Sequence, residues 1–208
     1  RYHKVKSLPK NEIDWQIKFD ETPNRALSID ELRQLIKWES GDPSLLLAKD
    51  LFLFSFYSDG INFFDMAMLQ KANIRDGRIV YKRNKTNRTF SININDKLKE
   101  LILKYNYNGK YLLPIRNEKI ANSRTDISMQ ITNTNNRLKR IAKEVGLPPI
   151  TTYTARYTCA NLHQDMETPI ERISEILGHS NVETTKIYLK RLTSKQLDEA
   201  RESLYDSI

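Results

Sequence analysis

The residues of this chain that could do chemistry together are Arg156, His179 and Tyr188, which stand in three short segments of its last third. His179 follows Arg156 by 23 residues, and Tyr188 follows His179 by 9. A tyrosine phenolate can attack the phosphorus of a phosphodiester without metal or water if cations neutralise the phosphate oxygens and an acid protonates the departing 5′ oxygen. The resulting phosphotyrosine ester keeps the bond energy for religation, so such a reaction needs no ATP.

These three segments resemble the active-site boxes of the tyrosine recombinase, or phage integrase, family. They comprise Tyr153–Thr158, Leu177–Ser180 and Thr184–Tyr188. Further upstream, Phe54–Gly60 and Asp65–Ala67 are similar to segments in the integrases of conjugative transposons. The resemblance extends from about residue 25 to residue 192, and it implies a mostly α-helical catalytic domain with a small antiparallel β-hairpin or three-stranded sheet (α+β).

The resemblance also implies a role for each candidate residue. Tyr188 is the expected nucleophile, Arg156 a bidentate clamp on the scissile phosphate, and His179 a second donor to that phosphate. Lys85 lies in a hairpin loop where such integrases carry a lysine, and it would protonate the leaving oxygen. Taken singly, each residue has an ordinary structural interpretation, such as a packed tyrosine or a solvated loop lysine. Their joint spacing favours the active site.

The sequence departs from the family pattern at two positions. Asn62 occupies the place of the family's first arginine, and an amide brings no charge to a transition-state phosphate. Asp59 adds a negative charge nearby. Lys49 on the preceding helix is a candidate substitute cation, but its ordinary interpretation as a helix-surface lysine is the favoured one. Tyr153 occupies a position where the family usually has histidine or lysine; it can donate a hydrogen bond but is a poor general base at neutral pH.

The charge distribution favours a polyanionic partner. The chain has 34 Lys+Arg against 26 Asp+Glu, and between residues 71 and 143 basic residues outnumber acidic ones by 18 to 5. Each phosphate that Lys or Arg neutralises releases condensed counterions, so we expect double-stranded DNA to bind here. A solvated basic surface would look the same on charge alone. The predicted DNA contacts are Arg83, Arg88, Arg137, Arg140 and Asn62.

Local patterns predict the elements that position these residues. Ser28–Glu31 forms a capping box, and Asp42–Pro43 starts a second helix. Its stretch Leu45–Phe56 is apolar almost all round apart from Lys49 and Asp50, which predicts a buried central helix.

A change of period predicts a hairpin in the middle of the chain. The alternating stretches Ile79–Tyr81 and Thr89–Ile94 read as strands on either side of Asn84–Asn87. A long helix is then expected over Asp126–Val145, with Gly146 ending it.

Two further caps are predicted near the carboxyl end. Thr168–Glu171 should open a helix that Gly178 closes, and Ser180 with Glu183 should cap the next one. Residues 1–26 are expected to be a linker, 27–192 the catalytic domain and 193–208 a helical tail that docks on a neighbour or packs on its own domain. The DNA-clamping amino-terminal domain of such integrases would lie before Arg1, outside this fragment.

Composition excludes several other classes. The six glycines lie too far apart for a nucleotide-phosphate cradle, no apolar run is long enough to cross a bilayer, and one cysteine cannot form an internal disulfide. We therefore expect a cytoplasmic protein without cofactor or metal. The resemblance implies a homotetramer on paired DNA sites. Two alternatives stay open: a catalytically weak or inactive DNA-binding relative, and a type IB topoisomerase that relaxes supercoils as a monomer.

Overall fold

A computed structural model describes residues 26–105, 109–117 and 119–189 of the chain. Over these residues the fold is mostly helical with one small antiparallel sheet, so the predicted fold class is confirmed. The helices are α1 (Ile29–Lys37), α2 (Pro43–Tyr57), α3 (Phe63–Met68), α4 (Asp96–Lys104), α5 (Ser123–Val145), α6 (Thr154–Asp165), α7 (Ile170–Leu177) and α8 (Val182–Lys186). The strands are β1 (Ile74–Arg75), β2 (Arg78–Lys82) and β3 (Thr89–Asn93). The predicted tail at 193–208 and nearly all of the predicted linker lie outside the described residues.

Helix α2 forms the centre of the fold. Asp42 caps it by accepting a hydrogen bond from the Ser44 amide at 2.8 Å, and Pro43 occupies its first turn, as predicted. It packs against α1, α4, α5 and α6, and most of its residues are buried. No helix of the described residues is both long and apolar enough to cross a bilayer.

The two charged residues in the middle of α2 are buried. The Lys49 ammonium donates to the carbonyl oxygens of Trp38, at 2.6 Å, and Ile36, where α1 ends. Asp50 accepts from Lys104 and Tyr105 of α4 and its cap. Lys49 is therefore neither a helix-surface lysine nor a substitute phosphate ligand, because its ammonium is committed to the end of α1, where a cation stabilises the helix dipole.

The sheet holds the hairpin loop in place. Strand order is β1-β2-β3, and the register pairs Ile79 with Ile92 on the buried face and Tyr81 with Phe90, whose rings stack at 5.4 Å. Backbone hydrogen bonds between Arg83 and the far side of the loop close the turn. The loop therefore leaves the sheet in a defined direction.

The hairpin packs directly on the end of α7. Gly178 ends that helix in the left-handed conformation, with φ +67°, as predicted. A Cβ atom at this position would lie 1.9 Å from the Phe90 ring. Glycine is therefore required here both for its backbone angle and for the closeness of β3.

Helix starts depart from the sequence prediction in three places. Helix α5 begins at Ser123 because Asn122 caps it, and three polar residues without an apolar signal precede Asp126. Helix α8 is capped by Asn181, which accepts from the Glu183 amide at 2.8 Å, and not by Ser180. Thr168 lies one residue before the Pro169 cap of α7 and provides no cap of its own.

Candidate active site

An open cavity of about 390 Å³ lies between the β2–β3 loop, the start of α3 and the segment that joins α7 to α8. Four of the five predicted catalytic residues line it: Lys85, Tyr153, His179 and Tyr188. Arg156 lies directly behind it. The structure therefore brings together in space residues that are up to 103 positions apart in the sequence.

Tyr188 follows the short helix α8, and its backbone is held at both ends. Its amide donates to the Thr185 carbonyl at 2.9 Å, and its own carbonyl accepts from the Asn161 amide group of α6 at 2.6 Å. The ring lies 4.9 Å from the His179 ring and 5.0 Å from the Tyr157 ring, measured between centroids. These contacts orient the phenol toward the cavity.

Tyr153 immediately precedes α6, and its hydroxyl is hydrogen-bonded to the hydroxyl of Tyr188. Its side chain is well exposed, at 42%. Partial burial, and secondly the hydrogen bond to Tyr188, raise the pKa of Tyr153 above that of a free phenol. Tyr153 is thus protonated at neutral pH, and its role in catalysis stays a prediction.

His179 is a neutral imidazole at physiological pH. Burial, then the charges of Arg156 and Arg83, lower its pKa to about 4. Its Nε2 lies 3.1 Å from Arg156 Nη2 and its Nδ1 lies 2.9 Å from Thr185 Oγ1. Because a guanidinium only donates, Nε2 must accept and the proton is assigned to Nδ1. His179 becomes a donor to phosphate from Nε2 only after it takes up a proton there.

Arg156 is buried, with 3% of its surface exposed, near the start of α6. Its guanidinium donates to the carbonyl oxygens of Gly60, at 2.8 Å, and Leu177, while Nε is buried without a hydrogen-bond partner among the described residues. Gly60 can approach this closely because a Cβ there would lie 3.1 Å from Arg156 Cα. A bidentate contact to phosphate therefore requires Arg156 to exchange its carbonyl partners for the ligand.

The residues predicted to contact DNA fall into two groups. Asn62 and Arg83 line the cavity, and Arg88 borders it, with Nη1 at 3.5 Å from the His179 carbonyl oxygen. Arg137 and Arg140 lie on α5 and do not line the cavity. Arg140 is near Asp42 at the start of α2. The pKa of Asp42 is lowered mainly by hydrogen bonds from Ser44 and, more weakly, by the charge of Arg140. The DNA contacts of all five stay a prediction.

Sequence reasoning missed residues that support the site from behind. Thr185 fixes the His179 tautomer, Asn161 holds the Tyr188 backbone, and the buried carboxylate of Asp65 binds the hairpin loop through the Asn84 amide at 2.9 Å. Only Thr185 carried a usable signal, because it lies one helical turn before Tyr188 in the same motif.

The described residues contain no candidate metal centre and no second cavity lined by the predicted catalytic residues. They contain no group of three or more His, Cys, Asp or Glu side chains placed to hold a metal ion. A larger cavity of about 800 Å³ lies between α1 and α6, is lined mainly by apolar groups and contains none of the predicted catalytic residues. Asp59 lines that cavity and not the one around Tyr188.

Solved structures with the same fold are site-specific recombinases and integrases. The XerA recombinase is 21% identical, with a TM-score of 0.60, over 86% of this chain and 64% of that one. The integrase of the Tn1549 transposon, in complex with circular intermediate DNA, is 12% identical, with a TM-score of 0.64, over 89% of this chain and 68% of that one. The XerH recombinase bound to its difH substrate is 17% identical, with a TM-score of 0.61, over 85% of this chain and 53% of that one. At these identities the likeness establishes the fold, and the chain spans about two thirds or less of these proteins.

A search of curated protein sequences found no relative. The model of the phage integrase family, however, matches residues 26–195, which include every candidate catalytic residue. With this match over most of its length, the chain belongs to the phage integrase family of tyrosine recombinases.

Proposed function

We propose that this chain is the catalytic part of a site-specific DNA recombinase that cleaves and rejoins strands through a covalent 3′-phosphotyrosyl intermediate on Tyr188. The observation that carries the proposal is the position of the Tyr188 phenol. It lies in an open cavity beside His179 and Lys85, and the Arg156 guanidinium carbon is 5.5 Å from its ring centroid. A phenol close to the positive charges of Arg156 and Lys85 is a group that can become a nucleophile toward phosphorus.

The proposed reaction follows from these positions. The Tyr188 oxygen attacks the scissile phosphorus, its proton leaves through the Tyr153 hydroxyl to water, and the bond from phosphorus to the 5′ oxygen breaks. The Lys85 ammonium protonates that oxygen. His179 takes up a proton from solvent at Nε2 when the phosphate binds, and Arg156 and His179 then donate to the non-bridging oxygens as negative charge develops on them. The reverse reaction, with a 5′ hydroxyl from another strand, releases Tyr188 and completes the exchange without metal or ATP.

Double-stranded DNA is the proposed partner, and four protomers on two sites are the proposed assembly. The excess of basic residues between positions 71 and 143 supports DNA binding. The solved complexes of the Tn1549 integrase and XerH contain DNA, and they support the same partner by analogy of fold.

A covalent-trap assay tests the proposal. The full protein is incubated with a pool of nicked duplexes of random sequence. The short segment between the cleaved bond and the nick is lost after cleavage, so the reaction cannot reverse, and adducts are collected under denaturing conditions. Wild type should form an adduct, and Tyr188→Phe should form none while still shifting DNA in a gel. Tyr57→Phe, which removes a hydroxyl outside the cavity, should leave adduct formation unchanged.

The remaining outcomes decide between the alternatives. An adduct that survives Tyr188→Phe refutes the assignment of the nucleophile. DNA binding by wild type without any adduct identifies the inactive DNA-binding relative, a second candidate that the neutral Asn62 favours. Relaxation of supercoiled DNA without paired sites identifies a type IB topoisomerase.

A further inference from the structure

Arg83 directly follows β2, and its guanidinium reaches into the cavity that holds Tyr188. Nη1 donates to the carbonyl oxygens of Gly178, at 3.0 Å, and Leu177, at 3.2 Å. The side chain is 13% exposed, and that exposed part lines the cavity. Arg83 lines the cavity, whereas Arg156 is buried behind it.

The two guanidinium groups converge on one acceptor. Arg156 Nη2 also donates to the Leu177 carbonyl oxygen, so two full positive charges share a neutral partner. Burial, and then repulsion by Arg156, lower the pKa of Arg83. Asp65 is the facing acid, and at 3.9 Å from Arg83 Nε it makes an ion pair without a hydrogen bond. A bound anion would relieve this repulsion.

Position 62 cannot supply a charge here, and its side chain is already engaged. The side-chain oxygen Oδ1 of Asn62 accepts from the Asp65 backbone amide at 2.9 Å as the cap of α3, and the side-chain nitrogen Nδ2 donates to the Asp65 carboxylate. Asp65 accepts from the Asn84 amide as well, which fixes the loop next to Arg83. Asn62 thus helps to hold the base of the hairpin from which Arg83 extends.

We propose that Arg83 binds the scissile phosphate and supplies the positive charge that the phage integrase family places at position 62. The inference rests on the proposed recombinase function and goes beyond a contact to duplex backbone. Arg83 extends from the hairpin and Arg156 from α6, and both donate to the Leu177 carbonyl oxygen, so the two groups are close enough to contact the same phosphate together. In the transition state of attack by Tyr188, Arg83 donates to a non-bridging oxygen and neutralises its charge.

The test measures the rate of single-turnover adduct formation on a nicked duplex taken from the selected pool. Arg83→Gln should slow this rate by about 10²–10³-fold, the usual effect of removing one preorganised donor to a developing charge. Arg75→Gln is the matched control, because Arg75 is an exposed arginine of β1 outside the cavity. Its rate should stay within about threefold of wild type once DNA is saturating.

A neutral substrate separates catalysis from support of the fold. A methylphosphonate at the scissile position replaces one charged oxygen by a methyl group, so it needs one cation fewer. On it, Arg83→Gln should react within about tenfold of wild type if Arg83 neutralises charge. If Arg83 only supports the hairpin, the defect should be equally large on both substrates, and this result would overturn the proposal.

Restoring the charge from the usual position gives a second criterion. The double variant Asn62→Arg, Arg83→Gln should form the adduct at least tenfold faster than Arg83→Gln alone. No such increase, together with an Arg83→Gln defect that is equally large on the phosphate and the methylphosphonate substrates, would contradict the assignment. Wild type that makes no adduct on either substrate refutes the recombinase function itself. Wild type that reacts while Arg83→Gln stays within threefold of it refutes only the role of Arg83.

Discussion

Replacing Gly178 by alanine should strongly destabilise the domain. Gly178 has φ +67°, a conformation that costs an L-residue about 1–2 kcal/mol. The added methyl group would lie 1.9 Å from Phe90 Cζ, and relieving such overpacking costs typically about 1–3 kcal/mol. We therefore expect Gly178→Ala to lower the free energy of unfolding by about 2–5 kcal/mol, a large part of the total stability of an ordinary domain.

Denaturant unfolding of matched variants isolates the steric part. Gly146 has a similar φ of +77°, but a Cβ there would have nothing within 4 Å among the described residues. Gly146→Ala should therefore cost only the backbone contribution of about 1–2 kcal/mol. In a double-mutant cycle, Gly178→Ala in the Phe90→Ala background should lower the free energy of unfolding by no more than Gly146→Ala does, because the clash with the Phe90 ring is gone. Equal losses for Gly178→Ala and Gly146→Ala would refute the close packing of β3 on the end of α7.

Two other predictions concern charge. The folded pKa of His179, near 4, lies below that of an unfolded histidine, so its contribution to stability is complete above about pH 6.5 and lost as pH falls toward 4. His179→Gln should make the free energy of unfolding depend less on pH between about pH 6.5 and 4. Parallel pH curves for wild type and His179→Gln would contradict the lowered pKa of His179. Asp126 is fully buried and paired with Arg116 at 2.6 Å, so Asp126→Ala should cost about 3–5 kcal/mol in denaturant unfolding by leaving a buried cation unpaired. Asp30→Ala, at an exposed pair with Arg33, should cost less than 1 kcal/mol, and similar losses at the two sites would disprove this argument.

Local signals predicted the elements of the fold well. The capping box at Ser28, the Asp42–Pro43 start and the glycines that end α5 and α7 depend on residues within one helical turn, so their geometry is encoded in short stretches. The same logic misplaced the cap of α8, because Ser180 and Asn181 are adjacent and both residue types can cap.

Partners that lie far apart in the sequence could not be predicted. Lys49 looked like a surface or phosphate-binding lysine, since nothing near it shows that the end of α1 lies above it. The motifs and the family resemblance predicted that Lys85, His179 and Tyr188 share one site, and these residues line one cavity. They did not indicate that Arg156 is buried behind that cavity. Arg83 was predicted only as a DNA contact. Its place at the cavity depends on how the hairpin packs against α7, and no local pattern encodes that packing.

The carbonyl groups at the end of α7 accept hydrogen bonds from the guanidinium groups of Arg83 and Arg156. Such oxygens carry only partial negative charge, whereas a phosphate carries a full one. They thus hold two like-charged side chains together, and the phosphate of the proposed DNA substrate, with its full charge, would displace them. A carboxylate in their place would compete with the substrate at every encounter. If the proposed function is correct, the end of α7 keeps the donors of Arg83 and Arg156 in place before DNA binds, so the phosphate site is preorganised.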